Sequence, residues 1–479
     1  MEVSELHRAA NDTARKESGP TAAHSRIPAP IVARKMLRRG QIFHTTAPLI
    51  ARSSFNPPPL TLYATSMTLD PLLVRSFAKK FHTPLYVFEE SIIRKQCREL
   101  KAAISYPNTV IKYACKALTL RAILSIIKDE GIWIDASSLN EAKRAILAGF
   151  EPHQIAYTGE SASVPVFSEL LKMNVTMNCS SLDQMRLLGK VQPGAKMSVR
   201  INPGEGHGSN NKVNTGGPAS KHGIYVDQLD EVRAIIKEYD LQLDGIHAHI
   251  GSGTDLAHWL RIKDLTLDIA RQFEDLSFVN LGGGLPIVYN PETDEPMPLN
   301  EWGERLTDSF EGFSKEYGKD VQLHIEPGRY LVAECGHLIA EVQNVKRTPA
   351  YNFALLNTGF NHNPRPAMYG SYHPLTLVAG DGRDLVPSKE YVIGGYLCES
   401  GDIFTRGEDG ELLPRLFPEI QVGDLMVMGL VGAYSHAMKS EYNSMNLPAS
   451  ILLETNGNAK IIERRGTLED VIQREVETF

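Results

Sequence analysis

The sequence predicts an α/β fold, a parallel (β/α)8 barrel of the TIM type, followed by an all-β domain. Three observations carry this. Eight short apolar runs recur between about residues 110 and 326, with helical runs between most of them. The stretch from about Phe88 to about Arg329 matches the ~250 residues typical of such a barrel. After Tyr330 the helical periodicity gives way to short β-prone runs separated by Gly, Pro, Asn and Asp. An open doubly wound sheet is the competing architecture. It needs a glycine-rich turn after its first strand, and here that turn holds Lys116.

In chain order, residues 1–66 form an N-terminal extension of distinct composition. From Ser18 to Leu69 there is no acid, yet Arg26, Arg34, Lys35, Arg38, Arg39 and Arg52 are present, and Pro57-Pro58-Pro59 breaks any regular element. Arg-rich, acid-poor composition is that of an organellar transit segment. A disordered tail, or an over-long start with Met67 as the true beginning, fits as well, and Glu2, Glu5 and Asp12 count against the transit reading. The expected location is the cytoplasm, or a plastid or other organelle if residues 1–66 are a transit segment. Residues 67–88 form a segment expected to pack on the β-domain, with a short strand at Pro84–Phe88.

Residues 89–330 make the barrel. Ile93, Cys97, Leu100 and Ile104 share one helix face. Strands are expected near Val110–Ala114, Ile132–Ala136, Ile155–Thr158, Val175–Met177, Met197–Ile201, Gly245–His249, Phe278–Leu281 and Leu323–Glu326. The helical run with Leu120, Ile123, Leu124 and Ile127 is stopped by Gly131, and that from Glu141 to Leu147 by Gly149. Residues 331–479 make the β-domain, with strands expected at Leu338–Val345, Phe353–Asn357, Leu375–Val378, Tyr391–Leu397, Leu425–Leu430 and Ile451–Glu454.

Composition sets the broad class. The chain has 479 residues, 42% apolar and 22% charged, with a formal charge of −7. That is ordinary for a globular protein of more than one domain. No basic or aromatic–basic stripe points to nucleic acid, and no uncharged apolar run reaches the roughly 18 residues of a membrane helix. Cys97, Cys115, Cys179, Cys335 and Cys398 are odd in number and form no CxxC pair. Neither a disulfide framework nor a metal site is expected, and a reducing compartment is the simpler reading.

Barrel active sites lie at the carboxyl ends of the strands. Here strand one ends in Lys116, and strand two in Asp135, with Ser138 and Glu141 following. Strand five ends in Arg200-Ile201-Asn202-Pro203 and strand six in His249-Ile250-Gly251-Ser252. Strand seven ends in Gly282-Gly283-Gly284 and strand eight in Glu326-Pro327-Gly328-Arg329. Singly, each has an ordinary alternative: a snorkelling lysine, a core histidine, a glycine turn, a turn glutamate. Together they describe one ligand. Glycine N–H groups can cradle a phosphate, His249 can stack on a ring, Glu326 can hold a cationic ring nitrogen, and Lys116 can bond a carbonyl. That ligand is pyridoxal phosphate.

These residues resemble the barrel-type pyridoxal-phosphate decarboxylases of basic amino acids, whose barrel is alanine-racemase-like. Within them the resemblance is nearest to the diaminopimelate decarboxylases. It covers about Leu69 to the C-terminus. It rests on Tyr-Ala-Cys-Lys-Ala (113–117), Asn-Thr-Gly (214–216), Lys-His-Gly (221–223), His-Ile-Gly-Ser (249–252), Gly-Gly-Gly (282–284) and Glu-Pro-Gly-Arg (326–329). Beyond the barrel it continues in Arg-Pro-Ala-Met-Tyr (365–369), Cys-Glu-Ser-Gly-Asp (398–402), Gly-Ala-Tyr (432–434) and Tyr-Asn (442–443).

The resemblance implies a homodimer with shared active sites that decarboxylates meso-2,6-diaminopimelate to L-lysine. A related substrate is the alternative: carboxynorspermidine, a D-amino acid, ornithine or arginine. It implies that Lys116 carries the cofactor, His249 stacks on it and Glu326 pairs with its ring nitrogen. Ser252, Gly283, Gly284, Gly328 and Tyr434 would hold the phosphate, with Asp135, Arg200 and Arg329 completing the cofactor site. Arg329, Arg365 and Tyr369 would grip the substrate's far carboxylate and Glu399 its far ammonium, with Tyr434 also binding the substrate. Cys398 would return a proton to Cα, reaching into the neighbouring subunit's site. Leu118, His222, Asn357 and Leu447-Pro448-Ala449-Ser450 depart from the family pattern.

Overall fold

The computed structural model describes residues 69–206, 215–249, 251–253 and 255–476. The transit or tail reading of residues 1–66, and Asn214 and Ile250 of the family motifs, lie outside them.

The uninterrupted apolar run 85–88 is explained by where it ends up. It forms β1 (Leu85–Glu89), and all four residues are buried. Successive side chains of a strand point to opposite faces. Tyr86 and Phe88 join the large core shared with the barrel, whereas Leu85 and Val87 pack with Val74, Phe77, Ile339, Val427 and Ile451 in a second core. A strand buried on both faces has no solvent side on which to alternate.

The barrel strands then follow. They are β2 (Thr109–Ala114), β3 (Trp133–Ala136), β4 (Ile155–Gly159), β5 (Thr176–Cys179), β6 (Lys196–Asn202), a two-residue spur β7 (Ile224–Tyr225) on β6, β8 (Gln242–His247), β9 (Phe278–Asn280) and β10 (Gln322–Ile325). All pair in parallel. The pairing of β10 with β2 closes the ring that runs through β3, β4, β5, β6, β8 and β9. The expected barrel is therefore present. Helices Arg121–Asp129, Leu139–Leu147, Val164–Lys172, Leu182–Val191, Leu229–Tyr239, Leu256–Ala270 and Leu299–Tyr317 lie between the strands.

Two of these helices start on the same local device. Ser138 Oγ accepts from Glu141 N at 3.1 Å, and the Glu141 carboxylate accepts from Ser137 N at 2.7 Å. Ser181 and Gln184 repeat this after β5, at 3.2 Å and 2.7 Å. Such reciprocal caps satisfy N–H groups that a helix start leaves orphaned. Ser138 and Glu141, which the strand-end pattern placed near the active site, are thus spent on capping.

After the barrel, β11 (Gly336–Arg347), β12 (Asn352–Leu356), β13 (Leu375–Val378), β14 (Pro387–Gly394), β15 (Arg415–Pro418), β16 (Leu425–Met428), β17 (Ala449–Leu453) and β18 (Ala459–Glu463) form a mixed sheet. Its order is β15-β14-β12-β11-β1-β17-β18, with β16 joining β11 to β13. β1 is a member of this sheet, antiparallel to β11 and parallel to β17. β15 and β18, which the sequence did not announce, are short and little buried. Among the described residues no helix is long and apolar enough to cross a membrane.

Candidate active site

β2 delivers Lys116 through one 3-10 turn, Cys115–Ala117, in which Cys115 and Ala117 are buried and the lysine side chain stands in a cavity. The turn is tied down by Tyr434, whose backbone N–H donates to Ala117 O at 2.9 Å. Tyr434 adopts φ 61°. A side-chain-bearing residue rarely takes that conformation, and such outliers cluster where function fixes the backbone.

The cavity lies at the carboxyl ends of the barrel strands. It is lined by Lys116, Asp135, His249, Ser252, Gly283, Gly284, Glu326, Gly328, Arg329, Arg365, Tyr369 and Tyr434. Twelve of the site residues predicted from the sequence therefore meet in one space. The lysine amine and the Glu326 carboxylate, on which the cofactor reading turned, open into the same cavity. Thr215, Leu285, Ser371 and Met438 line it as well. They lie in irregular segments, where no periodicity marks a side chain as inward-facing.

Three predicted residues lie elsewhere. Arg200 is buried behind the wall, with Nη1 on Glu160 at 2.9 Å and Nη2 on the His249 carbonyl at 3.2 Å. Its guanidinium is spent on fixing the loop that carries His249. Cys398 and Glu399 are exposed on the β-domain and line no part of the cavity. Their loop is held by the buried Asp402, whose carboxylate accepts from Leu397 N at 2.8 Å and Phe360 N at 2.6 Å. The end of strand six also needs correction. β8 stops at His247: Ala248 N makes the last ladder bond to β9, to Asn280 O at 2.9 Å, and His249 lies in the loop beyond it.

Charge in the cavity is sharply organised. Burial opposes ionisation of Glu326, but His247, Lys112 and the Asn280 amide, 2.5 Å from Oε1, outweigh it, and the carboxyl sits well below its usual range. Asp135 goes the other way. Burial, then the neighbouring Glu326 charge, pushes it up to about 8. Two nearby carboxyls with one of them ionised is what mutual repulsion predicts. Burial would lower the Lys116 ammonium, but Tyr434 and Asp135 keep it above its ordinary value. Burial, Arg200 and Lys116 hold the His249 imidazole neutral, and its Nδ1 accepts from Gly283 N at 3.2 Å.

At the far wall two guanidiniums share one aromatic ring. Arg365 lies 4.7 Å and Arg329 5.5 Å from the Tyr289 ring centre, and Arg329 Nη1 donates to Tyr289 Oη at 2.8 Å. Arg365 Nη2 donates to Ser371 Oγ at 3.1 Å, while its Nε has no partner. Among the described residues neither arginine is paired with a carboxylate. Tyr289 was not foreseen; a lone tyrosine in the long segment after β9 carries no pattern.

These residues fit pyridoxal phosphate. Asp135 Oδ1 is buried without a partner and faces the cavity. Gly283 admits no side chain, since a Cβ there would stand 2.3 Å from Glu326 O. A Cβ on Gly328 would come to 3.2 Å from Tyr434 Oη, in the space beside Lys116. An amine, an anionic carboxylate and a neutral imidazole around one space suit a phosphorylated pyridine aldehyde.

Comparison with known proteins agrees. Residues 90–333 match the family described as pyridoxal-dependent decarboxylase, pyridoxal binding domain. The diaminopimelate decarboxylase of Escherichia coli K12 is 37% identical over 425 residues, spanning 87% of this chain and 100% of that protein. That of Methanothermobacter thermautotrophicus is 37% identical over 406 residues, 83% of this chain and 92% of its own. A crystal structure of diaminopimelate decarboxylase superposes with a TM-score of 0.82 at 37% identity, covering 87% of this chain and 99% of that one. The Helicobacter pylori enzyme complexed with L-lysine gives 0.74 at 26% identity, covering 84% and 98%. By sequence and by architecture, this chain belongs to the diaminopimelate decarboxylase family of pyridoxal-dependent decarboxylases.

Proposed function

We propose that the protein decarboxylates meso-2,6-diaminopimelate to L-lysine and carbon dioxide, using pyridoxal phosphate. The observation that carries the substrate is the pair Arg329 and Arg365. Two guanidiniums, without a protein carboxylate between them, line the cavity that holds Lys116 and Glu326. An unneutralised, partly desolvated positive charge calls for an anion in the ligand. A substrate with a distal carboxylate supplies it. Ornithine has none and would leave the donors unmet, at about 1–3 kcal/mol each.

The bound cofactor supplies an electron sink at Cα when the bond to the carboxylate breaks. The chain's own residues do the rest. Lys116 anchors the aldehyde end. Glu326, kept ionised, holds a proton on the ring nitrogen, and His249 covers the ring face. Ser252, Gly283, Gly284, Gly328 and Tyr434 hold the phosphate. Arg329, Arg365 and Tyr369 orient the far carboxylate, and Glu399 takes the far ammonium. Cys398 delivers the proton that replaces carbon dioxide, because a thiol is a competent acid near neutral pH.

Cys398 and Glu399 line no part of their own chain's cavity, which supports a homodimer in which each acts in the site of the second copy. Purified protein loaded with pyridoxal phosphate is supplied separately with meso-diaminopimelate, ornithine, arginine and carboxynorspermidine, and released carbon dioxide is measured. Turnover with diaminopimelate alone, giving lysine, is the expected result. Preference for a substrate without the far carboxylate overturns the reading.

A further inference from the structure

The barrel interior below the cavity is not the usual hydrocarbon filling. Asn178 of β5, Ser198 of β6, His247 of β8 and Asn280 of β9 are all buried there, with Lys112 of β2 close by. Barrel interiors are dominated by branched apolar side chains, and each buried polar group needs a partner. Here the partners form a directed chain that ends at Glu326.

The chain can be read from its far end. Ser198 Oγ donates to Asn178 Oδ1 at 2.9 Å, which commits the amide oxygen. Asn178 Nδ2 donates to Thr158 Oγ1 at 3.1 Å and lies 2.6 Å from His247 Nδ1. An amide nitrogen only donates, so Nδ1 accepts and the imidazole proton is on Nε2. Nε2 faces Glu326 Oε2 at 3.3 Å, outside hydrogen-bond geometry, and among the described residues it has no hydrogen-bond partner. Asn280 Nδ2 reaches the other carboxylate oxygen at 2.5 Å.

We propose that His247 is a positioning residue for Glu326: Asn178 pins its imidazole as the Nε2–H tautomer, so that a donor and not a lone pair faces the carboxylate that meets the cofactor's ring nitrogen. This rests on the cofactor reading above. A lone pair at that place could accept a hydrogen bond only from a protonated carboxyl, and so would favour neutral Glu326. The Asn280 amide bonded to one oxygen and the Nε2–H turned toward the other favour the anion. The surroundings act in the same sense. Burial lowers the His247 affinity for a second proton, so the ring stays neutral. Lys112, 5.1 Å from the Phe278 ring centre, adds positive charge nearby. The other ionisable groups facing this cluster are Asp135, Arg200, Lys116, His249 and His324.

The tautomer is readable directly. In holoenzyme labelled with 15N-histidine, with His247→Gln used for assignment, His247 is expected to show a bare Nδ1 and a protonated Nε2 across neutral pH. A proton on Nδ1 overturns the proposal, whether or not any variant folds. The second arm is cofactor titration of the apoprotein followed by absorbance. His247→Leu is expected to weaken binding roughly tenfold or more, and His247→Gln, which keeps a donor, to stay within about threefold. Equal losses for both, or none for either, overturn it. Wild-type protein that takes up no cofactor would instead defeat the functional reading, since the tautomer can be measured without cofactor.

Discussion

The barrel mouth and the Cys398–Glu399 loop carry the two halves of the proposed chemistry, and they are built in opposite ways. At the mouth, Asp135 of β3 and Lys116, His249 and Glu326, from the segments that follow β2, β8 and β10, converge on one space. Their charges are set by one another. On the β-domain, Cys398 and Glu399 are exposed and meet no cofactor-binding group of their own chain. Yet Asp402 ties that loop down with two backbone hydrogen bonds. The difference teaches that a cofactor pocket can be assembled within one chain while groups proposed for its chemistry stand on the surface outside it.

The sharpest way to break this comparison is to damage each half separately. Lys116→Ala should abolish both the yellow absorbance of bound cofactor and turnover. Cys398→Ala should keep the absorbance and lose about 10²–10⁴-fold in turnover, the usual size of a general-acid contribution. Mixing the two variants, each nearly inactive, should then restore up to about a quarter of wild-type activity, because a mixed dimer has one intact site. No recovery on mixing would mean that the loop serves its own chain's cavity or none.

A smaller effect sharpens the substrate side. Arg365→Lys keeps the charge but loses the planar fork and its stacking on Tyr289. KM for diaminopimelate should rise roughly 10–100-fold with little change in kcat. Unchanged KM would remove the far carboxylate from this wall.

A further effect is one of pH. Asp135 is pushed up to about 8 in the fold, against about 3.9 in an unfolded chain. Between those values the native protein binds more protons than the unfolded one. Its stability should therefore fall as pH rises from about 4 to about 8. Urea unfolding of the cofactor-free protein should show this slope, and Asp135→Asn should flatten it. An identical slope in the variant would show that Asp135 is ordinarily ionised.

The two regions also differed in how well the sequence announced them. Barrel strands were legible because each is an apolar run bounded by turn residues, and the polar strand ends stood out against them. β15 and β18 were not, because strands of four or five residues with little buried surface look like loops. Within the site, Lys116, Glu326 and the glycines sit next to strand signals, whereas Tyr289, Ser371 and Met438 arrive from irregular segments and are placed only by tertiary packing. Arg200 was read as touching the cofactor, but a strand end places a residue only to within one layer, and its guanidinium turned to Glu160. The chain of Asn178, His247 and Asn280 was invisible, since a polar residue in or at the end of a strand gives no hint of what it faces across a barrel.

The position of β1 has a consequence for how the molecule is made. Leu85 pairs with both Ile339 and Ala449, so the first strand of this sheet to leave the ribosome waits for almost the last. The barrel can close while the sheet still lacks its central member's partners, and long-range pairings form late. A nascent or truncated chain ending before residue 449 would expose one edge of β1, a template for aggregation. Shortening the C-terminal end should therefore harm yield far more than its distance from the cofactor would suggest.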